Sequence, residues 1–332
     1  MSSPIPLNER PAFGSVVGLK LRNFLHMLLQ EVAVPLLGIG VFLLIWGMTA
    51  SRIDTSLGKF PGPAVVWEQA GNLVAEYREE LVKEKEFYVR QAERDAARLA
   101  EDPNFEVKVR AYTGKATFPS QIMTSLVTVL SGFFVAMVIA VPLGIAIGLS
   151  KTLNSAVNPI VQIFKPVSPL AWLPLVTLVV SAVYTSDDPA LSKSYINSLL
   201  TVALCAIWPM VINTAVGVAS IPQDWINVSR VLRLSPLMHV RKIVLPAAVP
   251  MIFTGMRLSL GVAWMVLIAA EMLAQNPGLG KFVWDEFQNG STNSMGRIMV
   301  AVLTIGLIGF LLDRTMLQLQ RFLSWDKASA SR

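Results

Sequence analysis

Long stretches without charged residues constrain the fold of this chain more than any other feature of its sequence. A helix that crosses a bilayer needs about 20 largely apolar residues, because lipid offers no partner to an exposed backbone polar group. Charged residues are absent from 32–51, from 116–150 and from 194–223. The sequence therefore predicts an all-α, polytopic membrane protein. Its six predicted transmembrane helices lie near 32–51, 122–149, 158–183, 197–218, 252–275 and 297–318.

The composition agrees with a chain embedded in the lipid bilayer. Charged residues make up 15% of the chain, against about 25% in soluble domains. The net charge of +6 would suit nucleic acid, but in a membrane protein it reflects Lys and Arg in cytoplasmic loops, and no nucleic-acid partner is predicted. The single cysteine, Cys205, lies inside an apolar run, so neither a disulfide nor a cysteine metal site is predicted. No cofactor is expected.

The charges of the short loops predict the orientation of the chain. Segment 219–247 carries four Lys or Arg against one acid, and the tail from Asp313 carries four against two. Basic short loops stay in the cytoplasm, so residues 1–31 and the tail 322–332 are predicted to be cytoplasmic. A cleaved signal is the alternative interpretation of the first apolar run, but this run is long and no A-x-A site follows it, so we expect it to be retained.

The longest polar segment, 52–119, separates the first two predicted spans. Apolar residues recur in it at helical spacing between Pro63 and Asp102, with Glu, Lys and Arg at the other positions. This pattern is typical of long helices outside the membrane. Two roles are open for this outer helical insertion: it docks an external partner, or it braces the spans.

The third predicted span contains three prolines, Pro166, Pro169 and Pro174, with Lys165 before them. A proline removes a backbone donor and kinks a helix, which lipid tolerates only where protein or a water-filled cavity satisfies the freed groups. We interpret this span as lining a translocation path, with Lys165, Ser168 and Trp172 as candidate residues. The alternative is a kinked helix packed against its neighbours, with Lys165 reaching the headgroups.

The fifth predicted span adds Thr254, Arg257 and Glu271 to these candidates. Ionisable residues inside a span are functional candidates by default. Arg257 either gathers anions or follows the positive-inside rule. Glu271 lies close to Gly278 and Gly280, so its alternative role is structural, as a carboxylate that binds a nearby turn.

Segment 222–247 interrupts the membrane pattern with a basic, apolar sequence. The stretch "WINVSRVLRL" places four apolar residues on one helical face, namely Trp225, Val228, Val231 and Leu232. Ser235 followed by Pro236 predicts a new helix start, and Leu245-Pro246 is predicted to end it. Two short capped helices at a membrane face suit docking onto another protein.

Motifs of catalysis are missing from the sequence. It contains no H-E-x-x-H, no G-x-S-x-G and no G-x-x-x-x-G-K-[ST] loop. The chain is therefore not expected to be an enzyme, and any ATP hydrolysis that powers it belongs to a partner protein.

The basic segment resembles the cytoplasmic signature of ABC importer permeases. That signature is Glu-Ala-Ala, three residues, Gly, nine residues, Ile, one residue and Leu-Pro. Residues 243–246, "IVLP", match its end, so Asn227-Val228-Ser229 stands in place of Glu-Ala-Ala and Arg233 in place of Gly. In the family this helix docks on the ATPase. The resemblance implies that the ATPase-coupling residues are Asn227, Val228, Ser229, Arg230, Val231, Arg233, Ser235 and Pro246.

Further stretches resemble the branch of these permeases that carries nitrate, bicarbonate, taurine and alkanesulfonates. They include "VPLGIAIGLS", "NPIVQIFKPVSPLAWLPL" and "IFTGMRLSLGVAWMVLIAAEML", while "AEMLAQNPGLGKFVWDEFQN" is similar to nitrate/nitrite permeases. The resemblance implies a type I ABC importer permease fold with a five-helix core over 120–321 in the bacterial inner membrane. It also implies a homodimer, two ABC ATPase subunits and a periplasmic or lipid-anchored substrate-binding protein.

Other functions remain open at this point. Another small anion of the branch, namely bicarbonate, cyanate, taurine or an alkanesulfonate, is the nearest alternative to nitrate. A membrane sensor would need a cytoplasmic signalling domain. A secondary transporter would be favoured by paired intramembrane acids or an inverted repeat, and the sequence contains neither.

Overall fold

The computed structural model describes residues 33–55, 58–102, 107, 110–185 and 191–323, and it is almost entirely helical. The predicted cytoplasmic segment 1–31 and residues 324–332 of the predicted tail lie outside the described residues. The prediction of an all-α protein is confirmed. The helices are α1 (Val34–Ala50), α2 (Pro63–Glu101), α3 (Phe118–Leu149), α4 (Lys151–Phe164), α5 (Pro169–Val183), α6 (Lys193–Ala219), α7 (Gln223–Val231), α8 (Pro236–His239), α9 (Leu245–Ala274), α10 (Leu279–Asn289) and α11 (Ser294–Leu323).

The chain divides into two compact units after Trp67. The first unit contains α1 and a short antiparallel hairpin of β1 (Asp54–Thr55) and β2 (Gly58–Lys59). The indole N–H of Trp46 donates to the carbonyl of Pro61 at 3.2 Å, which ties the end of α1 to the segment after the hairpin. The second unit contains the rest of the described chain.

Four described helices are long and apolar enough to cross a membrane. They are Phe118–Leu149, Lys193–Ala219, Pro236–Ala274 and Ser294–Leu323. The third of these joins α8, a π-helical turn (Val240–Val244) and α9 into one helix. Helix α1 has 17 residues, at the short end of the spanning range. The described residues thus contain four spans plus one bent pair, and a count of six stays a prediction.

The third predicted span, 158–183, consists of two helices instead of one, and its crossing of the membrane as one broken span stays a prediction. Helices α4 and α5 meet at an angle of 100°. Pro166 has no N–H to continue α4, and Pro169 begins a new helix behind the N-cap Ser168, whose hydroxyl accepts from Leu170 N. Proline chemistry therefore produces a sharp break where the sequence suggested only kinks.

Helix α6 packs against both α3 and α9 and forms the centre of the second unit. A side chain at Gly144 would come within 2.6 Å of Thr214 Cβ, and one at Gly148 within 2.6 Å of Val218 Cβ. Residues four apart share a helix face, and small residues let helices approach closely where lipid supplies no hydrophobic drive. The buried hydroxyl of Ser259 donates to Ala206 O at 2.6 Å, joining α9 to α6.

Outer helix α2 is fastened to the spans through a cluster of charges. Arg297 of α11 donates through its two terminal nitrogens to Glu76 at 2.9 and 2.8 Å, and its Nε lies 2.8 Å from Glu286 of α10. Further along α2, Glu80 accepts from the Tyr112 hydroxyl at 2.7 Å, and this hydrogen bond holds the pKa of the Glu80 carboxyl below its usual value. These contacts support the bracing alternative for segment 52–119.

Candidate functional site

The basic segment forms a helix with two different faces. Ile226 packs against the core and Ser229 is buried, so these residues face the spans. On the other side, Trp225 and Val228 are each 52% exposed and Val231 is 82% exposed. An apolar face beside basic residues is typical of a surface that another protein covers. The side-chain oxygen of Asn227, beside Val228, accepts a hydrogen bond from Gln223 Nε2 at 3.5 Å.

The end of α7 explains why a glycine suits position 233. The N–H of Leu234 donates to Ser229 O at 3.1 Å, and the N–H of Arg233 donates to Arg230 O at 3.0 Å. These two bonds form a Schellman motif, which requires a left-handed residue after the helix. Arg233 is that residue, with φ of 48°. The family's glycine position and the bend after the helix therefore coincide in this chain, although the side chain differs.

Replacing Arg233 with glycine is expected to stabilise this turn by about 1 kcal/mol, because a left-handed conformation costs an ordinary L-residue about that much. The matched control is Arg230→Gly, which lies inside α7 and should destabilise the helix by about 1 kcal/mol. Hydrogen exchange at the amides of Arg233 and Leu234 measures both effects. Slower exchange in Arg230→Gly than in Arg233→Gly would contradict the assignment.

The second short helix starts where the sequence predicts, but it does not end there. Ser235 Oγ accepts from Met238 N at 3.4 Å, as an N-cap does. Pro246 was expected to close the helix, and this is wrong, because the helix continues to Ala274. The π-helical turn before Pro246, in which Leu245 N donates to Val240 O, provides the wider backbone that a proline ring needs. Segment 222–247 is therefore connected rigidly to the fifth predicted span.

A contact that sequence reasoning missed joins α7 to α8. The Nδ1 atom of His239 lies 2.7 Å from Ser229 Oγ. Ser229 is 5% exposed, so the hydrogen bond is sheltered from solvent. The two residues are ten apart and lie on different helices with a turn between them, so the period of a single helix does not connect them.

Three predicted path residues lie at or near the break between α4 and α5. Lys165 follows α4, is exposed and forms no ion pair with any described residue, while Ser168 caps α5. The Trp172 ring stacks on Phe164 with centroids 5.7 Å apart, and Phe164 stacks on Trp208 at 6.0 Å. An aromatic stack thus lies at the break, next to the exposed Lys165.

Arg257 has a partner that the sequence did not reveal. Its Nη2 donates to Asp313 Oδ2 of α11 at 2.8 Å, and Nε donates to Oδ1. This bidentate pair joins α9 to α11 and neutralises the arginine, which favours a structural role over a free anion-gathering charge. Thr254, one turn earlier on α9, uses its hydroxyl to donate to Pro250 O at 2.9 Å.

Glu271 is completely buried and binds the turn between α9 and α10. Its carboxylate accepts from the Ser125 hydroxyl at 2.8 and 2.9 Å and from Gly280 N at 3.0 Å. The Ser125 hydroxyl also accepts from Leu279 N at 2.8 Å. A Cβ at Gly278 would overlap the Glu271 carboxylate. These contacts support the structural alternative for Glu271.

The structure groups the predicted residues unequally. Asn227, Val228, Ser229, Arg230 and Val231 share α7, and Arg233 and Ser235 lie in the turn and cap that follow. The predicted path residues do not form one cluster, since Arg257 and Glu271 on α9 are separated along the helix axis by about 21 Å at 1.5 Å per residue.

Comparisons with known proteins place this chain among membrane transport components. Residues 140–324 match the family model described as "binding-protein-dependent transport system inner membrane component". The bicarbonate transport system permease protein of Synechococcus elongatus is 35% identical over 296 residues, which cover 89% of this chain and 90% of that protein. The nitrate import permease protein of Leptolyngbya laminosa is 42% identical over 193 residues, covering 58% and 64%.

A more distant relative and a solved structure agree with this placement. The taurine transport system permease protein of Escherichia coli is 32% identical over 209 residues, which cover 63% of this chain and 71% of that protein. An inward-facing structure of the MetNI methionine ABC transporter superposes with a TM-score of 0.54 at 16% identity, over 62% of this chain and 95% of that one. At this identity the superposition speaks for the fold alone.

Proposed function

Since this chain belongs to the family of binding-protein-dependent inner membrane components, the membrane-spanning permeases of ABC importers, we propose that it imports nitrate or nitrite. The family works with a separate ATPase and a substrate-binding protein, and the permease itself is a transport subunit of the inner membrane, not an enzyme. The branch that carries nitrate, bicarbonate and taurine includes this chain. The choice of anion within the branch is our proposal.

One observation carries the proposal of nitrate. Over 193 residues the chain is 42% identical to a nitrate import permease, and the stretch 270–289, which holds Glu271 and α10, resembles nitrate/nitrite permeases. Nitrate is a weakly hydrated monovalent ion, so a path can pass it without a dedicated charge pair to remove its water. The pairing of Arg257 with Asp313 is compatible with such a path.

Bicarbonate is the second candidate, because a bicarbonate permease matches 89% of this chain at 35% identity. The two anions have similar size and charge but differ in hydrogen bonding, since bicarbonate carries a hydroxyl that donates. A binding protein distinguishes them by whether it offers an acceptor to that hydroxyl. We propose that the choice between them is made mainly by the binding protein.

The anion is tested by stimulation of ATP hydrolysis in the assembled transporter. Permease, ATPase and binding protein are reconstituted together and titrated with nitrate, nitrite, bicarbonate, cyanate and taurine. Our proposal expects stimulation by nitrate or nitrite at concentrations that leave the other anions without effect. Stimulation by bicarbonate alone would replace nitrate as the substrate and leave the permease assignment intact.

We propose that segment 222–247 is the surface that docks on the ATPase. The exposed apolar face of α7, with Trp225, Val228 and Val231 beside Arg230 and Arg233, supports this role, because water is a poor environment for such a face. The same proposal places both chain termini and this segment in the cytoplasm. It also expects a homodimer, in which two copies of the chain enclose one route for the anion.

Reversing the charge of both arginines, in Arg230→Glu with Arg233→Glu, is expected to weaken ATPase retention about tenfold while the protein remains in the membrane. Two exposed charges that each contribute up to about 1 kcal/mol to an interface account for this factor. Co-purification of the ATPase from detergent measures it. The matched control is Arg78→Glu with Lys85→Glu on outer helix α2, which changes the net charge equally. Wild-type retention in the first variant would argue against the docking surface.

A further inference from the structure

We propose that His239 and Ser229 are positioning residues that fix the angle between the docking helix α7 and the membrane helix that follows it. The inference rests on the proposed docking function of segment 222–247. His239 Nδ1 lies 2.7 Å from Ser229 Oγ. Through this hydrogen bond, movement of α7 would be transmitted to the membrane helix.

Helix α7 is held to the rest of the chain on its inner side. Its docking face is exposed, so α7 is fixed to the rest of the chain only through its inner side and its two ends. On the inner side, Ile226 packs against the core and Ser229 is buried. Ser229 also receives the Leu234 N–H on its backbone carbonyl. The backbone carbonyl and the hydroxyl of Ser229 therefore both hold the corner between α7 and α8.

A membrane helix lies on the His239 side of the bond. His239 is the last residue of α8, and the helix continues from it without a break through the π-helical turn into α9. Val240 packs against the core cluster, and Val244 is 1% exposed within it. His239 is thus attached to a well-packed span, while Ser229 is attached to the docking helix.

The hydrogen bond between His239 and Ser229 adds a side-chain connection between α7 and α8. Apart from this bond, the corner between α7 and α8 depends on the packing of α7 against the π-helical turn and on the connection 232–235, which contains the strained residue Arg233. A serine hydroxyl both donates and accepts, so the bond forms with either histidine tautomer. The hydrogen bond therefore keeps the corner between α7 and α8 rigid. A displacement of α7 is then transmitted to α9 instead of bending the connection 232–235.

The test compares substitutions that keep the bond with substitutions that break it. An asparagine at 239 places its amide near the position of Nδ1, whereas a glutamine places its amide near the position of Nε2, so His239→Asn and His239→Gln form a matched pair. Ser229→Thr keeps the hydroxyl and Ser229→Ala removes it. Each variant is reconstituted with ATPase and binding protein, and the ATP hydrolysed per anion imported is measured with ATPase retention.

We expect Ser229→Ala and His239→Gln to raise the ATP hydrolysed per anion about fivefold, the factor produced by a lost hydrogen bond of about 1 kcal/mol. ATPase retention should stay at the wild-type level, because the docking face is unchanged. His239→Asn and Ser229→Thr should stay close to the wild-type ratio. A destabilised fold lowers the amount of transporter but not this ratio.

The inference is overturned if the bond-breaking variants keep the wild-type ratio, or if His239→Asn and His239→Gln behave alike. A different result would overturn the proposed docking function itself. If the Arg230→Glu, Arg233→Glu variant retained the ATPase fully, α7 would not be the surface that holds the ATPase. The inference about Ser229 and His239 would then lose its basis as well. Because this outcome is measured on the arginine variant alone, it is distinguishable from a failure of the Ser229 and His239 variants.

Discussion

Glu271→Ala is expected to destabilise the permease by about 3–4 kcal/mol, the largest effect of any single substitution considered for this chain. The carboxylate is completely buried and accepts from Ser125 Oγ and Gly280 N. Alanine leaves these two donors buried without a partner, at about 1–3 kcal/mol each, and leaves a cavity. Unfolding in mixed detergent micelles measures the loss, and the amount of folded protein in membranes should fall in parallel.

The control for this prediction is Glu271→Gln, which keeps the shape of the side chain. Its amide oxygen can accept from Gly280 N, and its amide nitrogen can donate to Ser125 Oγ, whose hydroxyl also accepts. We expect a loss below about 1.5 kcal/mol and transport close to wild type. Abolished transport in a well-folded Glu271→Gln variant would show that the carboxylate charge acts in translocation, the other of the two roles that the sequence left open.

Arg257→Asp is expected to destabilise the packing of α9 against α11 by about 2–3 kcal/mol, the cost of an unpaired carboxylate within a span. The substitution removes the bidentate partner of Asp313 and places two acids side by side. Because both side chains are more than a third exposed in the isolated chain, the loss should be smaller than for Glu271→Ala. The yield of folded protein and its thermal midpoint in detergent measure the effect.

The exchanged pair, Arg257→Asp with Asp313→Arg, separates pairing from anion attraction. If the two residues act as a pair, the double variant recovers stability and transport, since opposite charges again face each other. If Arg257 instead attracts the anion from its own position, the double variant is stable but imports poorly. We expect recovery of both properties.

The features that the sequence predicted are those encoded locally. Long apolar runs predicted the four described helices that are long and apolar enough to cross a membrane, since lipid imposes a length and a composition on each crossing helix. Ser235 and Pro236 located a helix start because capping depends on neighbouring residues. Arg233 was placed at the glycine position of a family pattern, and its left-handed φ of 48° gives the physical reason why a glycine suits that position.

The features that the sequence did not predict depend on residues far apart in the chain. Arg257 and Asp313 are 56 residues apart, and Ser125 and Glu271 are 146 apart, so no periodicity connects them. The angle of 100° between α4 and α5 also depends on tertiary packing, since the prolines permit a break and an aromatic stack around Phe164 lies at it. Likewise, Pro246 was expected to end a helix, but a π-helical turn accommodates it.

The central claim is that this chain forms an anion route powered by an ATPase through segment 222–247. Uptake of isotopically labelled nitrate into proteoliposomes tests it most directly. The account predicts uptake that requires ATP, the ATPase and the binding protein together, and that collapses when Arg230 and Arg233 are replaced by glutamate. Nitrate uptake by the permease without its ATPase, or at the wild-type rate in the charge-reversed variant, would contradict it.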